Sequence, residues 1–327
     1  MITRELGTSG IQVSAVGLGT WAIGGTWWGG MDEAEAIDAI QHGIALGVNL
    51  IDTAPVYGYG LSEEVVGKAI KGLDRAGIVL ATKVGLAWHV TEGQYFFELA
   101  GERVFRNLKA TTIRYEIEQS LRRLNTDYID LYQTHWQDNT TPIAETMAEL
   151  LKLQAEGKIR AIGVSNCTPA QMDEYLAVGR IDTNQPLYNM LDRGIEADLL
   201  PYCQTQKIGV LTYSSLALGI LSGTMDPGRV FPEGDQRQGH ARFTPESITR
   251  INAMLADFAP FREKYGLDQT QLSIAWTINR PGVTSALVGV RHARQAEALI
   301  PGGGAEITAE DIAAMDTIIA RHTGTVG

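Results

Sequence analysis

Cysteine is scarce in this chain: Cys167 and Cys203 are the only two among 327 residues. No Cys-x-x-Cys or comparable ligand spacing is present. That excludes a disulfide scaffold and a cysteine-built metal site, and two reduced thiols are expected. Cys167 follows a predicted strand end but has no adjoining His, so a nucleophilic role is not expected. Positive charge is also short. There are 27 Lys and Arg against 38 Asp and Glu, a formal net charge of -11. Such a surface attracts neither nucleic-acid phosphates nor anionic lipid, so any anionic ligand needs a local basic cluster. No apolar run reaches the roughly 18 residues of a membrane span. The N-terminal MITRELGTSG is too polar for a signal peptide. The expected protein is cytoplasmic and binds neither nucleic acid nor membrane.

What the chain does contain is an alternation of short β-rich runs with longer helical stretches. Residues 3–6 and 11–14 flank Thr8-Ser9-Gly10 and predict a small hairpin. Eight further strands are predicted, at 15–19, 48–52, 78–83, 128–134, 159–165, 182–186, 209–214 and 284–289. Helices are predicted near 32–46, 62–71, 109–124, 142–156, 169–178, 195–206, 245–265, 269–279, 292–299 and 309–321. In the third of these, Ile113, Ile117, Leu121 and Leu124 form one stripe. Strands alternating with helices imply a parallel sheet, and eight repeats favour closure into a (β/α)8 TIM barrel. No linker splits the chain, so residues 1–327 are expected to form a single barrel domain. Gly302-Gly303-Gly304 predicts a turn between two late helices. Two connections, 84–108 and roughly 217–244, are too long for plain connectors. Both follow strands, and both are expected to be functional loops over the rim.

Three apolar runs and one following turn deliver four ionisable residues to that rim. Asp52 closes VNLID, Lys83 closes IVLATK, His135 follows YIDLYQT, and Tyr57 stands five positions after Asp52. A phenol is a poor acid at neutral pH, and a neighbouring cation lowers its pKa. Lys83 would supply that cation, with Asp52 holding it. Tyr57 then serves as a general acid, and His135 donates a hydrogen bond to a substrate oxygen. The set suits carbonyl reduction, but the hydride must come from a cofactor. Ser165, Asn166 and Gln185 lie at later strand ends and could hydrogen-bond a carboxamide. Tyr213 could stack on a flat ring. Arg291, His292 and Arg294 open a predicted helix after Gly289, a pattern suited to phosphate. A 2′-phosphate there would mean NADPH, with NADH the weaker alternative.

The chain resembles the aldo-keto reductases over nearly its whole length. The resemblance is carried by VGLGTW (16–21), NLIDTAPVYG (49–58), ATKVG (81–85), SLRRLNTDYIDLYQTHW (120–136), GKIRAIGVSN (157–166), NQPLYN (184–189) and TYSSL (212–216). It implies a (β/α)8 barrel closed below by the hairpin, and NADPH-dependent reduction of aldehydes or ketones without a metal. By resemblance, Tyr57 is the proton donor and Asp52, Lys83 and His135 complete a tetrad. Ser165, Asn166 and Gln185 hold the nicotinamide amide, and Tyr213 stacks on its ring. Thr20, Trp21, Asp52, Ser214, Leu216, Gly289, Arg291, His292 and Gln295 are the further cofactor contacts implied. The family's acidic-Asn adenine pair is replaced here by Ala298 and Leu299, and Tyr-Ser-Pro-Leu by Tyr-Ser-Ser-Leu. Trp21 matches a pocket Trp; Trp27, Trp28, Trp88, His89 and Trp136 are expected to add walls. Such walls suit small-molecule carbonyls, with small polar or sugar-derived aldehydes favoured.

Three other readings compete. GLGTWA (17–22) fits the G-x-G-x-x-A dinucleotide fingerprint, but it runs on into a Gly- and Trp-rich stretch, where no helix is expected to start. Lys83 could form a Schiff base as in a class I aldolase, although a paired amine opposes that. A nicotinamide-nucleotide-sensing subunit with little turnover is the third.

Overall fold

A computed structural model describes residues 1–25, 28 and 30–323. The chain opens with an antiparallel hairpin, β1 (Thr3–Glu5) and β2 (Gln12–Ser14). Eight parallel strands follow: β3 (Val16–Gly19), β4 (Leu50–Asp52), β5 (Val79–Val84), β9 (Ile129–Thr134), β10 (Ile159–Ser165), β11 (Thr183–Gln185), β12 (Gly209–Thr212) and β13 (Val283–Gly289). They pair in chain order, and β13 pairs with β3 to close the barrel. Helices α1 (Glu33–Ala45), α2 (Leu61–Ala69), α3 (Ala110–Leu124), α4 (Ile143–Ala155), α5 (Pro169–Leu176) and α6 (Leu199–Gln206) occupy the crossovers up to β12. After β12 come α7 (Pro245–Ala256), α8 (Ala259–Tyr265) and α9 (Gln269–Ile278); α10 (Ala293–Leu299) and α11 (Ala309–Thr323) follow β13.

The barrel interior is layered by the two-residue period of a strand. Leu50, Ala81, Leu131, Ala161, Leu211 and Leu287 form an apolar layer, plugged from below by Leu6, Ile11 and Val13 of the hairpin. Two residues further along, the same strand faces carry Asp52, Lys83, Gln133 and Tyr213 in place of Leu50, Ala81, Leu131 and Leu211. The alternation that builds the core therefore lifts the polar residues to its carboxyl end. A second, larger apolar cluster lies between strands and helices; Ile113, Ile117 and Leu124 of α3 are buried in it, with Leu121 partly buried.

Two readings of the elements change. Residues 84–108 are not a loop. They contain β6 (Leu86–Ala87), β7 (Gln94–Leu99) and β8 (Glu102–Arg106), a three-stranded antiparallel sheet. Its tight turn places Ala100 at φ 52° and Gly101 at φ 83°. This is hairpin-turn backbone, with Ala where Asn or Gly is the usual signal. The predicted helix over 245–265 is two helices, because the chain leaves the helical region at Phe258 and Pro260 cannot donate a backbone hydrogen bond. The 302–304 turn lies in a short 3-10 segment, Ile300–Gly304.

One glycine matters to the layer beneath the site. A methyl group at Gly163 of β10 would overlap the Thr183 hydroxyl and the Gln133 side chain. Gly163→Ala is expected to cost about 1–3 kcal/mol by overpacking, read as a lower midpoint in urea unfolding with an unchanged slope. Wild-type stability in the variant would contradict this tight approach.

Candidate active site

The polar layer forms one hydrogen-bonded cluster. Lys83 is fully buried, and its Nζ donates to Asp52 Oδ2 at 2.6 Å, to the Thr53 carbonyl at 3.0 Å and to the Tyr57 hydroxyl at 3.2 Å. Those three bonds use all the protons of an ammonium. The other Asp52 oxygen accepts from Gln185 Nε2 at 2.8 Å and from Gln133 Nε2 at 3.3 Å. His135 stands edge-on to the Tyr57 ring, with centroids 5.7 Å apart, and its backbone N–H donates to Val84. The four predicted tetrad residues are thus brought together.

The turn carrying Tyr57 is wedged in place. Gly58, Tyr59 and Gly60 follow with φ of 66°, 54° and 102°. A Cβ on Gly58 would collide with the backbone carbonyl of Gly24, which lies in the 3-10 turn Trp21–Gly24. Only glycine combines a left-handed backbone with that close approach. The turn at Trp21–Gly24 also removes the dinucleotide-fingerprint reading. GLGTWA runs from a barrel strand into a 3-10 turn, so no α-helix follows it to face a pyrophosphate.

Electrostatics correct one expectation. Burial raises the Tyr57 pKa above its ordinary value of 10.0 and outweighs the lowering effect of Lys83, while the charge of Asp52 raises it further. The sequence suggested a phenol made acidic by its ammonium neighbour; desolvation of the phenolate reverses the net sign. Burial lowers the pKa of Lys83, but the charges of Asp52 and Tyr57 and the hydrogen bonds they accept more than offset this, so it ends above 10.5. Burial, reinforced by Lys83, holds His135 well below 6.5. At neutral pH the cluster therefore presents a protonated phenol, an ammonium and a neutral imidazole. A charged lysine engaged by three partners is a poor imine former, which argues against the aldolase reading.

Above the cluster lies a cleft of about 690 Å³. Its lining includes Asp52, Tyr57, His135, Trp21, Trp28 and Trp136, then Ser165, Asn166, Gln185, Tyr213, Ser214 and Leu216, and at the far end Gly289, Arg291, Gln295, Ala298 and Leu299. Asn166 holds a left-handed backbone at φ 56°; its amide donates to the His135 carbonyl and its oxygen accepts from Tyr213. Ser165 donates to the Gln185 carbonyl at 2.8 Å. Left-handed residues Ser214, Ala217 and Leu218, followed by Gly219, curl the chain along the cleft, and no atom lies near the missing Cβ of Gly219. This volume, a curled backbone wall, an amide-rich inner end and a cationic outer end fit an extended dinucleotide.

Several expected contacts sit elsewhere. Thr20 is buried off the cleft; its hydroxyl donates to the Asp52 carbonyl and accepts from Ser62, so it anchors β3 to β4. Gln185 does reach the cleft; its amide nitrogen donates to Asp52, which leaves its amide oxygen to meet a carboxamide. His292 and Arg294 line a separate pocket with Glu35 and Asp38, because the start of α10 turns them toward α1. Trp88 and His89 do not line the cleft. The sheet from β6 turns them toward Tyr59 and Tyr115, with ring centroids at 5.2 Å and 4.2 Å. Trp27 lies outside the described residues.

Other cleft residues were not anticipated. Phe96 and Phe97 come from β7, and Arg237 comes from the long connection after β12. Arg237 is held by Asp235 and lies over the rings of Phe231 and Trp28, at 4.7 Å and 5.3 Å. Gln133 was also missed, although its place two residues after Leu131 in YIDLYQTH put it on the inward face. Both long connections therefore contribute to the rim. Among the described residues, no helix is long and apolar enough to cross a membrane. Both cysteines are free and buried, and burial raises both thiol pKa values.

Comparison with known proteins agrees with this geometry. The model of the Aldo/keto reductase family matches residues 15–320. The NADH-specific methylglyoxal reductase of Escherichia coli (strain K12) is 41% identical over 295 residues, covering 89% of this chain and 90% of the relative. The structure of the glycerol dehydrogenase AKR11B4 from Gluconobacter oxydans matches with a TM-score of 0.89 at 39% identity, covering 99% of this chain and 97% of that one. An aldo/keto reductase from Klebsiella pneumoniae in complex with NADP and acetate matches with a TM-score of 0.71 at 32% identity, over 94% and 92% of the two chains. The chain belongs to the aldo/keto reductase family, oxidoreductases that interconvert carbonyls and alcohols with a nicotinamide nucleotide.

Proposed function

We propose that Tyr57 is the proton donor in reduction of a small polar aldehyde or ketone, and that the 690 Å³ cleft holds an extended NADPH, or NADH more weakly. The observation that carries this is the Asp52–Lys83–Tyr57 chain of hydrogen bonds, at 2.6 Å and 3.2 Å, on the floor of that cleft. The nucleotide supplies the hydride when bound. Ser165, Asn166 and Gln185 line the inner end for its amide, Tyr213 offers a ring face, and Arg291 and Gln295 stand at the ribose end. The Arg291 backbone N–H is already held by Gln295 Oε1 at 2.8 Å, which fixes the chain there.

The substrate oxygen sits between the Tyr57 hydroxyl and the neutral His135 ring. Tyr57 releases its proton to that oxygen as negative charge develops there. Lys83, already within hydrogen-bonding distance, stabilises the phenolate left behind, and Asp52 keeps Lys83 charged and aimed. A neutral His135 donates without adding a competing cation beside Lys83. Trp21, Trp28, Phe96, Phe97 and Trp136 close the substrate end. Aromatic walls with few polar groups select by size and stacking, while the polar floor fixes the carbonyl. The names of two relatives, a methylglyoxal reductase and a glycerol dehydrogenase, support small polar substrates. A sensing role with little turnover has no specific observation in its favour.

Tyr57→Phe is expected to lower kcat by about 10²–10⁴-fold while the Kd for NADPH stays unchanged. Full activity in the variant would remove Tyr57 from the acid role. The pH dependence follows from the two shifts. Reduction needs Tyr57 protonated, which holds until pH passes its raised pKa above 10.0, and His135 neutral, which holds down to a pKa well below 6.5. The kcat for reduction at saturating nucleotide should therefore be level between about pH 7 and 9; a midpoint near 7.5 assigned to either group would contradict these directions. Arg291→Ala should weaken NADPH more than NADH in a binding titration, and an equal loss would remove the 2′-phosphate contact.

A further inference from the structure

The charged residues at the ribose end do not all favour a phosphate. Glu35 and Asp38 stand three residues apart on α1 and so share one face of that helix. The face opens on a pocket of about 390 Å³ whose opposite wall is His292, Ala293 and Arg294. Below the pocket, His42 of α1 and Glu297 of α10 lie 3.1 Å apart and join the two helices. Glu33 points away and pairs with Lys68 of α2 at 2.8 Å. Among the described residues, the side chains of Glu35, Asp38 and Arg294 have no hydrogen-bond or ion-pair partner, although they line one pocket. His292 Nδ1 is buried without a partner on the same wall. Two uncompensated carboxylates therefore face a single guanidinium three residues on from Arg291, and Arg291 Nη1 itself donates to the Trp28 carbonyl at 3.2 Å.

We propose that Glu35 and Asp38 set the nucleotide preference of this enzyme by opposing a 2′-phosphate at the start of α10 while tolerating a 2′-hydroxyl. This rests on the reading that places the ribose end beside Arg291. A phosphate monoester carries nearly two negative charges at neutral pH. A pocket of this size keeps its walls within the Debye length, about 10 Å at 0.1 M salt, so the repulsion is felt across it. A hydroxyl adds no charge and can donate to a carboxylate, the arrangement by which acidic side chains select NAD over NADP in other dinucleotide folds. Arg291 and Arg294 attract the phosphate and the acidic pair repels it. The chain is thereby tuned for use of both nucleotides rather than for strict NADPH dependence.

The test is equilibrium binding of NADPH and NADH, by tryptophan-fluorescence quenching, to the wild-type protein, to the double variant Glu35→Gln/Asp38→Asn and to Arg291→Ala. Both carboxylates are exposed, and unchanged thermal melting confirms that the double variant is folded. The double variant should bind NADPH about 3- to 10-fold more tightly at low salt, with NADH changed less than about 2-fold, and the gain should shrink at about 0.5 M salt. An equal response of the two nucleotides, or none, in a protein where Arg291→Ala still weakens NADPH selectively, overturns this proposal alone. If Arg291→Ala also leaves both affinities unchanged, the ribose end lies elsewhere and the placement fails with it.

Discussion

The burial of one ammonium group governs this structure. Lys83 has no exposed surface, and a charge removed from water is unstable unless partners replace its hydration. Here Asp52, the Thr53 carbonyl and Tyr57 supply one acceptor for each proton. Asp52 in turn is held on its other oxygen by Gln185 and Gln133. The cluster draws on four barrel strands and the turn after β4, so the charge is tolerated only when the barrel has closed. Stability and reactivity are coupled at this point. The interactions that make the buried pair admissible also leave a phenol hydrogen-bonded to a cation beneath an open cleft.

The barrel accomplishes this through its period. Inward positions along a strand come every second residue, and one step from the apolar layer to the polar layer separates Leu50 from Asp52, Ala81 from Lys83 and Leu131 from Gln133. Glycine at 163 provides the width that Gln133 and Thr183 occupy. The rim is then completed by insertions. The β6–β8 sheet brings Phe96 and Phe97, and the connection after β12 brings Arg237 and the curled segment at Ser214–Gly219. The scaffold holds the Asp52–Lys83–Tyr57 cluster, while the insertions add walls to the cleft.

The linear pattern already held much of this. Apolar runs stopping on Asp52, Lys83 and His135 marked strand ends, because an ionisable group terminates a buried run only where the chain reaches a polar face. The (β/α)8 architecture followed from the alternation of short and long periodic segments, and closure of β13 on β3 bears it out. The β6–β8 sheet was not legible, since its turn uses Ala100 rather than a strong turn residue and its aromatic residues carry no clear alternation. Trp88 and His89 looked like pocket walls through composition alone. Their direction is fixed by sheet pairing with β8, which joins positions some twenty residues apart.

Which residue types stand at the strand ends, and on which face of each strand, is written in the chain itself, because both depend on a local period of two. The sign of the Tyr57 shift, the commitment of the Gln185 amide to Asp52 and the division of Arg291 and Arg294 between two pockets were decided only by the assembled barrel. The physical reason is that desolvation and charge interaction sum over neighbours distant in sequence. A list of residues names those neighbours, and only the closed barrel places them around one another.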